Sequence, residues 1–112
     1  MSNIPEKLKK ELSIDPFYEI CVRENKDCEG YITWEHCFIY AGKQVQEKWA
    51  IIPLCELHHS VNKYLDVGKL DKGINQLIAL SRASEKDLEK YPRVNWKQML
   101  KSLRIKYGKI WG

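Results

Sequence analysis

The stretch PLCELHHSVN, residues 53–62, combines one cysteine with two adjacent histidines, and all three side chains can bind a transition metal. Cys55 is followed three residues later by His58 and then directly by His59. On a helix, neighbouring residues diverge by about 100°, whereas residues three or four apart share a face. One ion can therefore hardly bind both imidazoles. Either one histidine is idle, or the two histidines serve different sites.

Two further cysteines complete a candidate zinc set. Cys21 and Cys28 are separated by six residues, while Cys55 and His58 are separated by two. Structural zinc is bound tetrahedrally by four cysteine and histidine ligands of this kind. These four residues predict a closed structural zinc site, with small buried residues as the alternative interpretation of Cys21 and Cys28. The remaining cysteine, Cys37, is interpreted as a buried thiol rather than as a substitute ligand.

A second set of polar side chains has the types needed for acid–base and metal chemistry. Assigning His58 to zinc leaves His59, and the only other histidine, His36, directly follows Glu35. A carboxylate is a hard ligand for Mg²⁺ or Mn²⁺, and a neutral imidazole is a metal ligand or a general base near pH 7. Glu35, His36 and His59 are therefore candidate catalytic residues, although an isolated histidine is more often an ordinary polar residue. Because a strand aims consecutive side chains at opposite faces, we expect the strand to bend or end at Glu35 and His36.

The composition is that of a protein of about one domain. The chain has 112 residues, of which 44% are hydrophobic and 30% charged. No apolar run approaches the roughly 20 residues that span a membrane, and the N-terminus MSNIPEKLKK lacks the apolar region of a secretory signal. We therefore expect a cytoplasmic protein, in which cysteines bind metal more often than they form disulfides.

Positive charge is concentrated at the C-terminus. The net charge is only +4, but no acidic residue occurs between Lys90 and Gly112. On a helix beginning near Asn95, three basic residues fall within a narrow wedge beside the apolar stripe: Lys97, Lys101 and Arg104. This row is either a solvated face or a set of contacts to DNA phosphates.

The central part of the chain predicts the order strand, connector, strand, helix. Residues 17–31 lack periodicity and predict an irregular loop held by metal. YITWEHC and KWAIIP are rich in β-branched and aromatic residues and predict two strands, the second closed by Pro53. The connector FIYAGKQVQEK has no clear pattern. A helix is expected over Glu56–Leu65, with Gly68 as its C-terminal stop.

Helices are predicted on both sides of this region. PEKLKKEL is a short amphipathic pattern with Leu8 and Leu12 four residues apart. GINQLIALSRA has a stripe formed by Ile74, Leu77, Ile78 and Ser81. Ser84 and Asp87 form a start signal for EKDLEKY, and Asn95 can cap a last helix. The stripe of that last helix consists of Trp96, Met99, Leu100, Leu103 and Tyr107.

Three stretches resemble HNH endonucleases of the zinc-supported type: CVRENKDC, ITWEHC and IIPLCELHHSVNK. The resemblance covers about residues 17–65. It implies an α+β fold with a ββα-metal (His-Me finger) core over those residues. The N-terminal helix and a helical C-terminal extension, residues 66–112, then complete a single domain of residues 1–112.

The resemblance also implies a role for each residue of the second polar set. Glu35 would bind a catalytic divalent ion, Mg²⁺ or a similar one, and His36 would be the general base. The Cys-x-x-Cys-His stretch of the family matches Cys55, His58 and His59, with His58 in place of the second cysteine. His59 would bind the catalytic ion, so the adjacent histidines would serve two different metals.

The length and the stretch YAGKQVQEKWAIIPLC are similar to small HNH nucleases that bacteriophages encode near recombination functions. The implied activity is metal-dependent hydrolysis of DNA phosphodiester bonds, with double-stranded or branched DNA as the partner. Ala50 stands where the family usually has an asparagine, five residues before the knuckle cysteine. The alternative is therefore a catalytically inactive, zinc-dependent module that binds DNA or another partner.

Overall fold

Short strands and longer helices make up the described part of the protein. The computed structural model describes residues 4–23, 28, 30–56 and 67–111. For residues 67–71, 110 and 111 it describes the backbone alone. The elements formed by these residues are α1 Glu6–Ser13, β1 Ile32–His36, β2 Ile39–Tyr40, β3 Lys43–Gln44, β4 Ile51–Cys55, α2 Val67–Arg82, α3 Glu85–Leu88 and α4 Trp96–Trp111. Pro16–Glu19 and Lys48–Ala50 form single 3₁₀ turns. The fold is α+β, as expected, with two small antiparallel sheets, β1–β4 and β2–β3.

Strands β1 and β4 form the ladder that contains Glu35, His36 and Cys55. They pair antiparallel from Ile32↔Cys55 to His36↔Ile51. Along β4, Ile51 packs in a small cluster with α1, whereas the next residue, Ile52, packs in the main core with α2. Because consecutive strand residues face opposite ways, α1 covers one face of the ladder and α2 covers the other.

The second strand begins later than predicted, and Pro53 does not close it. Lys48–Ala50 form a 3₁₀ turn, and β4 continues through Pro53 to Cys55. On the side of β4 away from β1, the Pro53 carbonyl accepts a hydrogen bond from the Val22 N–H at 2.9 Å. The N–H and C=O of a strand residue point to the same side. A backbone N–H at position 53 would therefore point away from β1, so its absence in proline removes no hydrogen bond between β1 and β4.

The connector without a clear pattern forms a tight hairpin. Strands β2 and β3 pair with only Ala41 and Gly42 between them. Both residues have positive φ angles, 52° and 78°, which two-residue hairpins need to match the twist of their strands. Alanine rarely adopts this conformation, so only Gly42 signals the turn in the sequence.

The N-terminal helix is confirmed, and its buried residues are Leu8 and Leu12. The 3₁₀ turn that follows is fixed by Tyr18. Its hydroxyl lies 2.7 Å from the carbonyl oxygen of Lys48 and 2.9 Å from that of Ile51. These contacts fasten the N-terminal segment to the start of β4.

The C-terminal helices have the predicted caps. Ser84 and Asp87 form a capping box at α3, and the Asn95 side chain accepts a hydrogen bond from the Gln98 N–H at 3.1 Å. On α2, the buried positions include Ile74, Leu77 and Ile78, whereas Ser81 is exposed. None of the helices in the described ranges combines the length and apolarity needed to cross a membrane.

One predicted helix boundary is wrong. The sequence predicts Gly68 as a C-terminal stop, but this glycine lies in the first turn of α2. A glycine inside a helix costs about 1 kcal/mol, and tertiary packing of the buried face of α2 overrides that cost. Of the predicted helix Glu56–Leu65, only Glu56 belongs to the described residues, and it lies in a turn after β4.

The main core joins the central region to the C-terminal helices. Four aromatic side chains meet there: Phe38, Trp49, Tyr91 and Trp96. Their ring centroids lie 5.5–6.5 Å apart, mostly edge to face, as the quadrupoles of aromatic rings favour. Because the rings come from both parts of the chain, the C-terminal helices share one core with the ladder.

Two helical glycines test this packing. A Cβ atom at Gly73 would collide with the buried Tyr107 ring of α4, whereas a Cβ at Gly108 would meet no atom within 4 Å. We expect Gly73→Ala to lower the free energy of unfolding by about 1–3 kcal/mol through overpacking. Gly108→Ala should raise it by about 0.5–1 kcal/mol, because alanine favours the helix. Urea denaturation at fixed zinc measures both, and equal midpoints for the two variants would contradict the α2–α4 packing.

Candidate metal centre

The sulfur atoms of Cys21, Cys28 and Cys55 lie within 4.8 Å of one another. In a tetrahedral zinc site with Zn–S bonds of about 2.3 Å, the sulfurs are separated by about 3.8 Å. Small side-chain adjustments therefore bring the three sulfurs to ligand distance. Among the described residues, no other group of three or more histidine, cysteine or acidic side chains is this close. The three cysteines can hold a metal ion such as zinc.

Backbone contacts bring the three cysteines together from separate segments. Cys55 is the last residue of β4, and the bond between the Val22 N–H and the Pro53 carbonyl holds the neighbouring Cys21 segment against the outer side of that strand. Gly30 has a φ of 83°, and a Cβ there would lie 2.7–2.8 Å from side-chain atoms of Glu56. Glycine at this position lets the segment after Cys28 pass close to the end of β4.

Burial controls the protonation of this site. Cys21 and Cys55 are buried, and Cys28 is half-buried. Burial raises the pKa of the Cys21 thiol to about 11, against the opposing effect of backbone hydrogen bonds from Cys55 and Arg23. Since metals bind thiolates, metal binding must displace this proton, and affinity should rise with pH.

The described members of the predicted zinc set lie close together in the structure. Cys21, Cys28 and Cys55 come together, while His58 lies outside the described residues. None of the four cysteines forms a disulfide. The prediction for Cys37 is confirmed, because this thiol is buried and lies apart from the cluster, with its sulfur 3.9 Å from the Glu35 carbonyl oxygen.

The structure does not bring Glu35 and His36 to one face. Both belong to β1, which keeps an uninterrupted register with β4 up to its end at His36. Glu35 pairs with Ile52, and His36 pairs with Ile51. Consecutive strand positions point to opposite faces, so the two side chains diverge. They lie toward the end of the ladder that is remote from Cys55. At about 3.4 Å per residue, Ile52, the partner of Glu35, is roughly 10 Å along β4 from Cys55, and Ile51, the partner of His36, is roughly 14 Å. His59, the third predicted member of this set, lies outside the described residues.

Each of the two side chains has a polar partner that the sequence analysis missed. The buried Glu35 carboxylate accepts a hydrogen bond from Asn75 Nδ2 at 3.0 Å. The Nε2 atom of the half-buried His36 lies 2.9 Å from Gln46 Oε1. Asn75 could have been noticed as a polar residue beside Ile74 in the apolar pattern of α2. Gln46 carries no comparable signal.

Burial and charge also affect the thiol beside Glu35. Cys37 lies two residues after Glu35, and burial raises its pKa well above the ordinary value. The negative charge of Glu35 raises the same pKa further. A thiol held neutral in this way is a poor metal ligand, which agrees with its separation from the cluster.

The predicted basic row is exposed. Lys97, Lys101 and Arg104 lie on the outer face of α4, beside the side that buries Trp96 and Tyr107.

Comparison with protein-family models, curated proteins and solved structures gave no match to this chain.

The cysteine cluster predicts stoichiometric metal binding. Purified protein should contain one zinc per chain, and Cys55→Ser should lose the zinc and unfold more easily, because the binding free energy of structural zinc contributes to folding. Cys37→Ser is the matched control and should retain zinc, since this thiol lies outside the cluster. Elemental analysis and the thiolate absorption of the Co²⁺-substituted protein measure the binding. Folded protein without metal, or equal loss in both variants, would overturn the assignment.

Proposed function

We propose that this protein is a metal-dependent DNA endonuclease of the HNH type, which hydrolyses phosphodiester bonds. The observation that carries the proposal is the cysteine cluster at one end of the β1–β4 ladder, with Glu35 and His36 at the other end. Metal-binding and acid–base groups on one antiparallel strand pair agree with the ββα-metal core that the sequence resemblance implies. Phage DNA processing or recombination is the setting that the same resemblance implies.

Zinc has a structural role in this proposal. Three sulfurs leave one position of a tetrahedral ion for a further ligand, and His58 follows Cys55 by three residues. A zinc ion bound there would join the Cys21–Cys28 segment to the end of β4. Such a crosslink matters in a small protein, whose core alone contributes little stability.

The acid–base step falls to His36. Because Gln46 Oε1 is an acceptor, the contact of 2.9 Å makes His36 Nε2 the protonated nitrogen and leaves the Nδ1 lone pair to accept a proton. In the reaction, water gives a proton to Nδ1 and its oxygen attacks phosphorus. The bond from phosphorus to the leaving oxygen then breaks, and that oxygen is protonated by solvent.

Glu35 and His59 are the proposed ligands of the catalytic divalent ion. The buried Glu35 carboxylate suits a hard ion such as Mg²⁺ or Mn²⁺, because these ions prefer oxygen ligands. When bound, such an ion supplies charge stabilisation for the scissile phosphate and its leaving oxygen. The role of Glu35 is to hold that charge at the inner face of β1.

A second function is favoured by the environment of Glu35. Its carboxylate is buried and hydrogen-bonded by Asn75, and the fully buried Ala50 occupies the place of the family's asparagine. Both features suit a zinc-dependent module that binds DNA or another partner without cleaving it. Cleavage assays separate the two functions.

Plasmid nicking by zinc-loaded protein with added Mg²⁺, Mn²⁺ or Ni²⁺ is the decisive measurement. His36→Ala should lower the nicking rate by about 10²–10⁴-fold, the usual contribution of a general base. Its zinc content should not change, because His36 lies at the opposite end of the ladder from Cys55. His59→Ala should chiefly weaken the response to added divalent metal. If both variants nick like the parent, the catalytic assignment is wrong; if the parent never nicks, the binding module is the better description.

The basic row of α4 is the proposed DNA contact. Replacing Lys97, Lys101 and Arg104 by glutamine should weaken binding to double-stranded or branched DNA, and each lost phosphate contact should reduce the salt slope by about 0.9. A matched control removes the same charge from exposed lysines elsewhere: Lys7, Lys10 and Lys43. Fluorescence anisotropy over a salt series measures both variants. Equal slopes for them would make the row an ordinary solvated face.

A further inference from the structure

A buried amide of the C-terminal extension contacts the acidic residue of the ladder. Asn75 of α2 is completely buried, and its Nδ2 donates a hydrogen bond of 3.0 Å to Glu35 Oε2. No described residue donates a hydrogen bond to the other amide atom, Oδ1, which is also buried. An acceptor buried without a donor lowers stability, because the loss of its hydrogen bonds to water is not compensated. A leucine would fill nearly the same volume without that cost, so packing alone does not account for the asparagine.

The surroundings hold the Asn75 amide in place. Arg82, further along α2, donates a hydrogen bond of 3.2 Å to the Ile51 carbonyl oxygen in β4. Buried apolar residues lie on either side of Asn75 along α2. With the helix anchored and its core packed, the amide can select one orientation of the Glu35 carboxylate.

We propose that Asn75 is a positioning residue of the divalent-ion site, supplied to Glu35 by the C-terminal extension. This inference rests on Glu35 being a ligand of the proposed catalytic ion. The Nδ2 group orients the carboxylate, and Oδ1 accepts a hydrogen bond from a water of the hydrated ion. Mg²⁺ and similar ions keep several waters when one or two carboxylates bind them, which provides the donor that Oδ1 lacks.

The assignment gives the C-terminal extension a part in the site. The resemblance to HNH nucleases covers only residues 17–65, and Asn75 lies beyond that region, 40 positions after Glu35. The packing of α2 on the ladder brings Asn75 to Glu35 although the two residues are far apart in sequence. Removal of the Asn75 amide should therefore weaken ion binding without disturbing the cysteine cluster.

Mn²⁺ binding to the zinc-loaded full chain, without DNA, tests the inference. Electron paramagnetic resonance of unbound Mn²⁺ gives the dissociation constant. Asn75→Leu should raise it by about 10–100-fold, the usual effect of losing an orienting hydrogen bond to a metal ligand. Glu35→Gln should raise it at least as much. Gln76→Leu is the matched control: it removes a different hydrogen bond made by α2, from Gln76 Nε2 to the Cys37 carbonyl oxygen at 3.2 Å, and should leave the Mn²⁺ affinity unchanged.

A second variant keeps the test decisive if Asn75→Leu folds poorly. Asn75→Asp keeps an oxygen but places a second carboxylate beside Glu35, so its melting temperature should rise more with Mn²⁺ than that of the parent. Four results would each overturn the inference. They are parental affinity in Asn75→Leu, equal losses of affinity in the Asn75→Leu and Gln76→Leu variants, no Mn²⁺ binding by the parent, and no thermal response of Asn75→Asp to Mn²⁺. Nicking is a separate readout: a chain that binds Mn²⁺ through Asn75 without nicking retains this inference and loses the nuclease function.

Discussion

An antiparallel pair of two short strands is marginally stable in water, and the candidate metal and catalytic groups of this protein are attached to such a pair. The β1–β4 ladder persists because it is supported from three directions. Helix α1 packs against one face, α2 packs against the other, and the cysteine cluster lies at the end where β4 stops. Loss of one support should therefore weaken the part of the ladder that it contacts.

The three supports differ in physical character. Packing of α1 and α2 depends on apolar area, which requires neither a metal ion nor a change of protonation. The cysteine cluster would depend instead on metal supply and on deprotonation, because burial raises the pKa of Cys21 to about 11 and favours its neutral thiol when no metal is bound. A metal ion held there would stabilise the Cys55 end of the ladder, whereas the His36 end has packing and the contact of His36 with Gln46.

Two polar groups are buried on the α2 face of the ladder at a cost in stability. Glu35 and Asn75 occupy core positions that apolar residues would fill at lower cost, and one atom of the Asn75 amide has no donor among the described residues. On the opposite face, His36 is only half-buried and retains access to solvent. The pleat of one strand therefore provides two environments, an enclosed carboxylate and an accessible imidazole, at consecutive positions.

The sequence by itself determined the features that depend on local chemistry. These features are the leucine spacing in α1, the side-chain caps of α3 and α4, the strand character of β1 and the metal-binding chemistry of cysteine. All of them involve residues close in sequence or intrinsic side-chain properties. Only the tertiary structure decided how distant segments meet. Pro53 fits within β4 because its missing N–H would face away from β1, and Gly68 is helical because packing of α2 outweighs its local preference. The contact of Glu35 with Asn75 joins residues 40 positions apart, and such pairings follow from the packing of whole elements, which local patterns do not encode.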